Sequence, residues 1–481
     1  MRRSPLTALV LTLCLLGASC GGDGGDGTGE EAGGLPPCPV DALDAATGPV
    51  EIVVWHTQGA KPGETLEALT AQYNASQSKV RVRLENQGTN YAELQRKFEA
   101  AIASRQLPDL IVFDDTAVQL MADSGVVLPA QSCVDAEGYD LSQFREVAVN
   151  YYTIDGVLWP VSANLGNVLL YYNKNHFRAA GLDPEDPPET LAEVREYAER
   201  IKAAGVVDTP LVHEFSAWKT EFWLTGAGAP VVDNDNGRGG GETTAAALDP
   251  NPVASELFTW FKQMQDDGLL TAVPSVDGQI DQFLAMANQK ASMVVESSSA
   301  ATSVEAFLGG DTSVAEDAAG AVETVNISGL DIGAGVFPGL SEPGRTQMGG
   351  AAWFLLSTST PAEQAASWDF AKFLNTVPAQ VLWLTGGSYL PYNTAAATDP
   401  AAQQFFTAGL SGRWLKIAND QIDAIDPDFP GPLIGPYYDF REELEKAQDD
   451  LMFGGATPAQ ALARAQAGVT AALERYAAEG F

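Results

Sequence analysis

Short apolar runs and helical stripes alternate from residue 51 onward. Ile52-Val53-Val54-Trp55 has the length and composition of a short apolar strand. Leu66, Leu69 and Tyr73 then recur at helical spacing. Val80, Val82 and Leu84 alternate with Arg81 and Arg83, which predicts a strand with one exposed face. Leu94, Phe98, Ala101 and Ile102 return to the helical period, Leu110-Ile111-Val112-Phe113 is a further buried strand, and Met121 falls in the next helix. Strands separated by helices in this way make βαβ units and a parallel sheet. Ligands of such open sheets lie beyond the carboxyl ends of the strands. Here those ends carry His56-Thr57, Asn86 and Asp114-Asp115, a polar set able to converge on one cleft.

The pattern restarts near residue 159. Val168 to Tyr172 reads as a strand. Thr190 and Glu193 form a capping box for a helix whose apolar face is Leu191, Val194, Ala198 and Ile201, and Gly205 ends it. Residues 231–249, with Asp233-Asn234-Asp235-Asn236-Gly237 and Gly239-Gly240-Gly241, predict a loop. Leu257, Phe258, Phe261 and Met264 mark a helix, and Met293-Val294-Val295 a short strand running into Ser297-Ser298-Ser299. Ala352 to Leu356 is another strand, and Trp368, Phe370, Ala371 and Leu374 lie on a helix. Thr457-Pro458 with Gln460 caps a last helix that buries Leu462, Ala465, Val469 and Leu473. Two α/β blocks in one chain leave a crevice between them, a common place for a ligand.

Charge narrows the partners. The 481-residue chain carries 27 basic and 63 acidic residues, a formal net charge of −36. Nucleic acid is excluded as a partner on this ground, because phosphate contacts need Lys and Arg. The amino terminus is a separate matter. Arg2-Arg3 precede an apolar run, Leu6 to Leu16, that is too short to favour a membrane span. Gly17-Ala18-Ser19-Cys20 follows, which completes an export signal. This stretch resembles the lipobox of bacterial lipoproteins, in which the Cys is lipidated, although the motif's usual Leu is displaced one step to Leu16. The expectation is a signal peptide over residues 1–20, lipidation at Cys20, and a flexible tether over residues 21–48. The chain would then sit anchored on the outer face of the cell membrane; simple secretion is the alternative. Cys38 and Cys133 are the two thiols left to the mature chain, and an oxidising compartment favours their pairing over two buried free thiols.

Four stretches identify a family. They are Val54-Trp55-His56 with Tyr73-Asn74; Asn90-Tyr91; the run from Leu170-Tyr171-Tyr172-Asn173-Lys174 through Ala180-Gly181-Leu182-Asp183-Pro184 to Pro187-Pro188-Glu189-Thr190; and Gly386 to Pro391. The chain resembles the extracellular solute-binding proteins of ABC importers, the group that includes the maltose-binding proteins, and within it the glycerol-3-phosphate-binding branch. The resemblance implies an α/β, two-lobed periplasmic-binding-protein fold, each lobe a mainly parallel sheet flanked by helices, with the ligand cleft at the hinge. It assigns residues 49–158 and 292–358 to lobe one and residues 159–291 and 359–481 to lobe two. Its ligand positions fall on Tyr91, Asp115, Trp218, Ser298, Gly350 and Tyr389.

One position departs from that branch. Its phosphate-gripping Arg is replaced by Leu433 in Gly431-Pro432-Leu433-Ile434-Gly435, and Leu cannot clamp a phosphate monoester. Arg441 lies later, among Glu442, Glu443 and Glu445, where a solvated ion pair on a helix face is expected. The expected ligand is therefore a neutral mono- or oligosaccharide stacked on aromatic faces, with a glycerophosphodiester or glycerol-3-phosphate as the alternative. An ABC permease is the expected protein partner and the expected state is a monomer, with no cofactor and no metal. A secreted glycoside hydrolase is the alternative of another class, but no carboxylate pair stands out by spacing, and GxSxG, HExxH and P-loop motifs are absent. The expectation is a non-enzyme. His56, His176 and His213 show no metal-ligand spacing, and His176 is expected at the surface.

Overall fold

A computed structural model describes residues 34–88, 90–276, 281–311, 329–426 and 429–479. The expected signal peptide, Cys20 and the start of the expected tether lie outside the described residues. Residues 36–481 form one unit, built on two sheets.

The first sheet contains β1 (Val50–His56), β2 (Val80–Asn86), β3 (Leu110–Asp114), β4 (Val127–Leu128), β7 (Val161–Gly166) and β13 (Gly349–Leu356). β5 (Thr153–Ile154) and β6 (Val157–Leu158) make a small hairpin beside it. The second contains β8 (Val168–Asn173), β9 (Leu211–Phe215), β10 (Leu270–Pro274), β11 (Met293–Ser297) and β12 (Ile332–Gly335). β1, β2 and β3 pair in parallel, as their intervening helices Ala60–Ser76 and Tyr91–Ser104 require. β13 then pairs antiparallel with β3, β4 and β7. In the second sheet β9 pairs in parallel with β10 and β11, while β8 lies antiparallel to β11 and β12. Both sheets are thus mixed.

Sheet membership differs from the division read from the sequence. β11 and β12 lie within 292–358 yet hydrogen-bond to β8 in the second sheet. β7 lies beyond residue 159 yet pairs with β13 in the first. The helices Pro361–Leu374 and Val377–Gly387 bury Trp368, Phe370, Trp383 and Leu384 in the same core as Ile52 and Val54 of β1, so this segment belongs with the first sheet. A strand's alternation reports that it is buried, not which neighbour it pairs with, and the crossing strands were therefore misplaced. The expected tether also ends early. Cys38 is bonded to Cys133, with Val40 and Leu43 packed on the core beside it.

Local signals act as expected. Thr190 and Glu193 cap Leu191–Ala203 reciprocally, and Thr457 and Gln460 do the same ahead of Pro458–Glu479. Strand β8 shows how one strand serves two cores. Val168, Leu170 and Tyr172 face one cluster, which includes Leu191, Phe258 and Phe440, while Leu169 and Tyr171 face the other, with Trp414 and Leu415. Each such buried side chain contributes roughly 1.5–3 kcal/mol of transfer free energy.

Candidate functional site

The carboxyl ends of β1 and β3 deliver the first polar groups. β1 ends at His56, whose ring Nδ1 accepts a hydrogen bond from the backbone N–H of Gln58 at 3.2 Å. Gln58 is thereby fixed between two tyrosines. Its Nε2 donates to the Tyr91 hydroxyl at 3.1 Å, and the Tyr389 hydroxyl donates to its Oε1 at 3.1 Å. Tyr91 opens the helix capped by Asn90, and Tyr389 follows the left-handed Ser388 that ends Val377–Gly387. Two half-buried phenol rings from distant parts of the chain thus form one wall.

β3 ends in Asp114, and Asp115 starts the next turn. Asp114, Ala351 and Asn164 lie in one row across β3, β13 and β7. Gly350, next to Ala351, donates its backbone N–H to Asp115 Oδ1 at 3.3 Å. Its φ of +151°, and the carbonyl of Asn164 only 2.2 Å from where a Cβ would stand, explain why glycine occupies this position. Asp115 Oδ2 is buried without a hydrogen-bond partner, as are Thr116 Oγ1, Tyr152 Oη, Ser162 Oγ and Asn164 Oδ1. Burial, and then the neighbouring Asp114, push the Asp115 carboxyl up to about 7 against the pull of Arg441. Burial likewise raises the Tyr91 hydroxyl well above its ordinary value.

Arg441 reaches this group from the helix Tyr437–Met452. It is not a solvated helix-face residue. Its Nη1 donates to Asp114 Oδ2 at 2.9 Å, while Nε and Nη2 donate to the two oxygens of Glu221 at 2.9 and 3.1 Å. The Tyr438 hydroxyl donates to Asp114 Oδ1 at 2.6 Å, and the Tyr437 hydroxyl to Glu221 Oε2 at 3.1 Å. Because Asp114 belongs to the first sheet and Glu221 packs with the second, Arg441 bridges the two lobes. The acidic neighbours on its helix gave the wrong cue: Glu442 is exposed, but Arg441 and Glu445, one turn on, share the face turned toward the helix Ala217–Gly226, where the Ala217 N–H donates to Glu445 at 3.1 Å.

Four of the six expected ligand positions therefore converge: Tyr91 and Tyr389 through Gln58, and Asp115 with Gly350. Trp218 is half-buried on the helix Ala217–Gly226, one turn before Glu221, with its ring 6.0 Å from that of Phe222. Ser298 is fully buried and serves the fold. Its Oγ accepts from the Asn167 N–H at 3.0 Å, and its own N–H donates to the Asn167 carbonyl at 2.8 Å. This bracing joins the β7–β8 turn to the end of β11. His176 is also buried rather than at the surface, with Nδ1 2.9 Å from Ser292 Oγ. Sequence reasoning missed Gln58, Glu221 and Tyr438. A carboxylate inside the apolar run around Phe222-Trp223-Leu224 was the signal for Glu221; nothing marked Gln58.

A bacterial extracellular solute-binding protein family model matches residues 68–407, well over half of the chain. The chain belongs to that family. Among curated relatives of this solute-binding protein is the sn-glycerol-3-phosphate-binding periplasmic protein UgpB of Rhizobium meliloti, 28% identical over 364 residues, covering 74% of this chain and 78% of the relative. Similar solved structures include a cyclic α-maltosyl-1,6-maltose binding protein from Arthrobacter globiformis, with a TM-score of 0.69, 22% identity, and coverage of 89% of this chain and 100% of that one. Another is UgpB from Mycobacterium tuberculosis in complex with glycerophosphocholine, with a TM-score of 0.68, 17% identity, and coverage of 90% and 100%. At these identities the solved structures establish the fold, two lobes around a cleft.

Proposed function

We propose that this solute-binding protein is the extracytoplasmic receptor of an ABC importer, tethered through Cys20, and that it binds a mono- or oligosaccharide in the cleft around Asp115. The observation that carries this is the cluster of buried oxygens without partners. Asp115 Oδ2, Asn164 Oδ1, Ser162 Oγ and Tyr152 Oη can accept hydroxyl protons, and an unmet buried acceptor costs about 1–3 kcal/mol. A polyhydroxylated ligand supplies many donors at close spacing. The Tyr91 and Tyr389 rings offer the apolar faces on which sugar C–H surfaces stack. Arg441 is already matched by Asp114 and Glu221, so it is not free to hold a doubly charged phosphate monoester. The same pairing argues against a hydrolase, because two of the three carboxylates are committed to one guanidinium. Similar proteins named for maltosyl-maltose, glycerol-3-phosphate and glycerophosphocholine point to the same broad chemistry, a small polyol-like solute.

A thermal-shift screen against sugars, glycerophosphodiesters and glycerol-3-phosphate tests the ligand class. A ligand at one hundred times its Kd stabilises by about 2.7 kcal/mol, a readily visible shift in Tm. At least one sugar is expected to raise Tm more than glycerol-3-phosphate does; a shift with glycerol-3-phosphate alone would overturn the assignment.

A further inference from the structure

Most deeply placed cations of the described residues sit against carboxylates. Lys219 lies between Glu214 and Glu296, Arg145 pairs with Asp423, and Arg441 with Asp114 and Glu221. Arg238 does not. It follows Gly237, whose φ of +83° turns the chain beneath the Leu433 carbonyl, leaving no room there for a Cβ. Its Nε donates to the Gly431 carbonyl at 2.8 Å, and its guanidinium carbon lies 5.1 Å from the centroid of the Tyr151 ring. Its Nη2 is buried with no hydrogen-bond partner, and although the charge of Asp235 in its own turn acts on it, it forms no ion pair within 4.0 Å with any described residue. Tyr151 is buried with its ring 5.3 Å from that of Tyr152, one of the groups with an unpartnered oxygen, and the charges of both Asp115 and Arg238 act on its hydroxyl.

Arg238 also lines a cavity of about 560 Å³ together with Leu433, Gly240, Gly241, Gln119 and Tyr476. Asp123, Asp155 and Glu242 are on its wall, but Asp123 accepts from the Tyr476 hydroxyl and none of the three pairs with Arg238. A guanidinium taken out of water without a directly paired carboxylate costs several kcal/mol, and a planar fork held on an aromatic face is pre-organised for an oxyanion. The loop that lacks an Arg at Leu433 therefore has one beside it, delivered by a different segment.

We propose that Arg238 is a specificity-determining residue that selects a carbohydrate-type ligand carrying one negatively charged oxyanion, a carboxylate or a phosphodiester. This rests on the receptor reading given above and narrows its ligand class. The oxyanion would lie on the free guanidinium edge, with the hydroxylated body toward Asp115.

Calorimetry with the mature protein tests it using glucose against glucuronate, maltose against maltobionate, and glycerophosphoglycerol as the phosphodiester probe. At least one anionic probe is expected to bind tenfold or more tighter than the neutral sugars, with an affinity that falls as salt rises, whereas neutral sugar binding is flat in salt. Arg238→Gln should abolish the preference and Arg238→Lys retain part of it. The salt series on the wild type needs no variant to fold. Neutral sugars binding as tightly as their acids, or a preference unchanged in Arg238→Gln, would overturn the role of Arg238 and leave the sugar receptor standing. Binding of glycerol-3-phosphate with none of these probes would overturn both.

Discussion

The Gly350 N–H donates to one oxygen of Asp115 and leaves the other buried and open, so this carboxyl is both anchored and incomplete. Its proton is held up to about pH 7, against about 3.9 for an unfolded aspartate. Between those values the native state binds more protons than the unfolded chain, so this group's contribution to stability falls as pH rises from about 4 to about 7 and is level above that. The ligand-free wild type should therefore lose Tm over this range relative to Asp115→Asn, which keeps the shape without the titration. Parallel Tm-against-pH curves for the two proteins would remove Asp115 from the pH response. Asp115→Ala should weaken sugar binding by roughly 1.5–3 kcal/mol, the range for a hydrogen bond to a charged group, as read by calorimetry. Asp115 was legible because an acid directly after an apolar strand sits where ligands bind in such sheets. Gln58 was not, because an amide two residues past a strand has no signature until a tyrosine from residue 389 closes on it.

The elements show which features travel with local pattern and which do not. Capping boxes and βαβ units depend on neighbours a few residues apart, so Thr190, Thr457 and the first three strands were readable. β11, β12 and the segment 361–387 were not placed, because their partners lie more than a hundred residues away or on the other sheet. The disulfide is the exception, a long-range contact readable from thiol count and compartment. It joins positions 95 apart, with Cα atoms 4.9 Å apart, and pins the segment ahead of β1 to the helix Ala130–Glu137. Titration of the unfolded, unreduced mature protein should find no free thiol. Replacing both cysteines by serine should cost roughly 2–5 kcal/mol in denaturant unfolding. An unchanged midpoint would mean that Val40 and Leu43 hold the segment without the bridge.

At the scale of the whole molecule, two sheets contribute opposite halves of one polar cluster. Asp114, Asp115 and Asn164 come from the first; Glu221 and Arg441 pack with the second. Among the described residues the polar ties between them include Arg441 and Tyr438 to Asp114 and Tyr476 to Asp123, while β8 of the second sheet also packs Leu169 and Tyr171 into the apolar cluster that holds Ile52 and Val54 of the first. The polar ties are the ones that a receptor can exchange for contacts with a solute it admits and later releases. On the reading proposed above, a bound solute completes the aromatic wall and the unpaired oxygens and draws the two halves together. Small-angle X-ray scattering, with and without a saturating concentration of the best ligand from the thermal screen, measures this directly. The radius of gyration should fall on binding as the lobes close around the solute; a value unchanged at full occupancy would contradict a closing interlobe receptor.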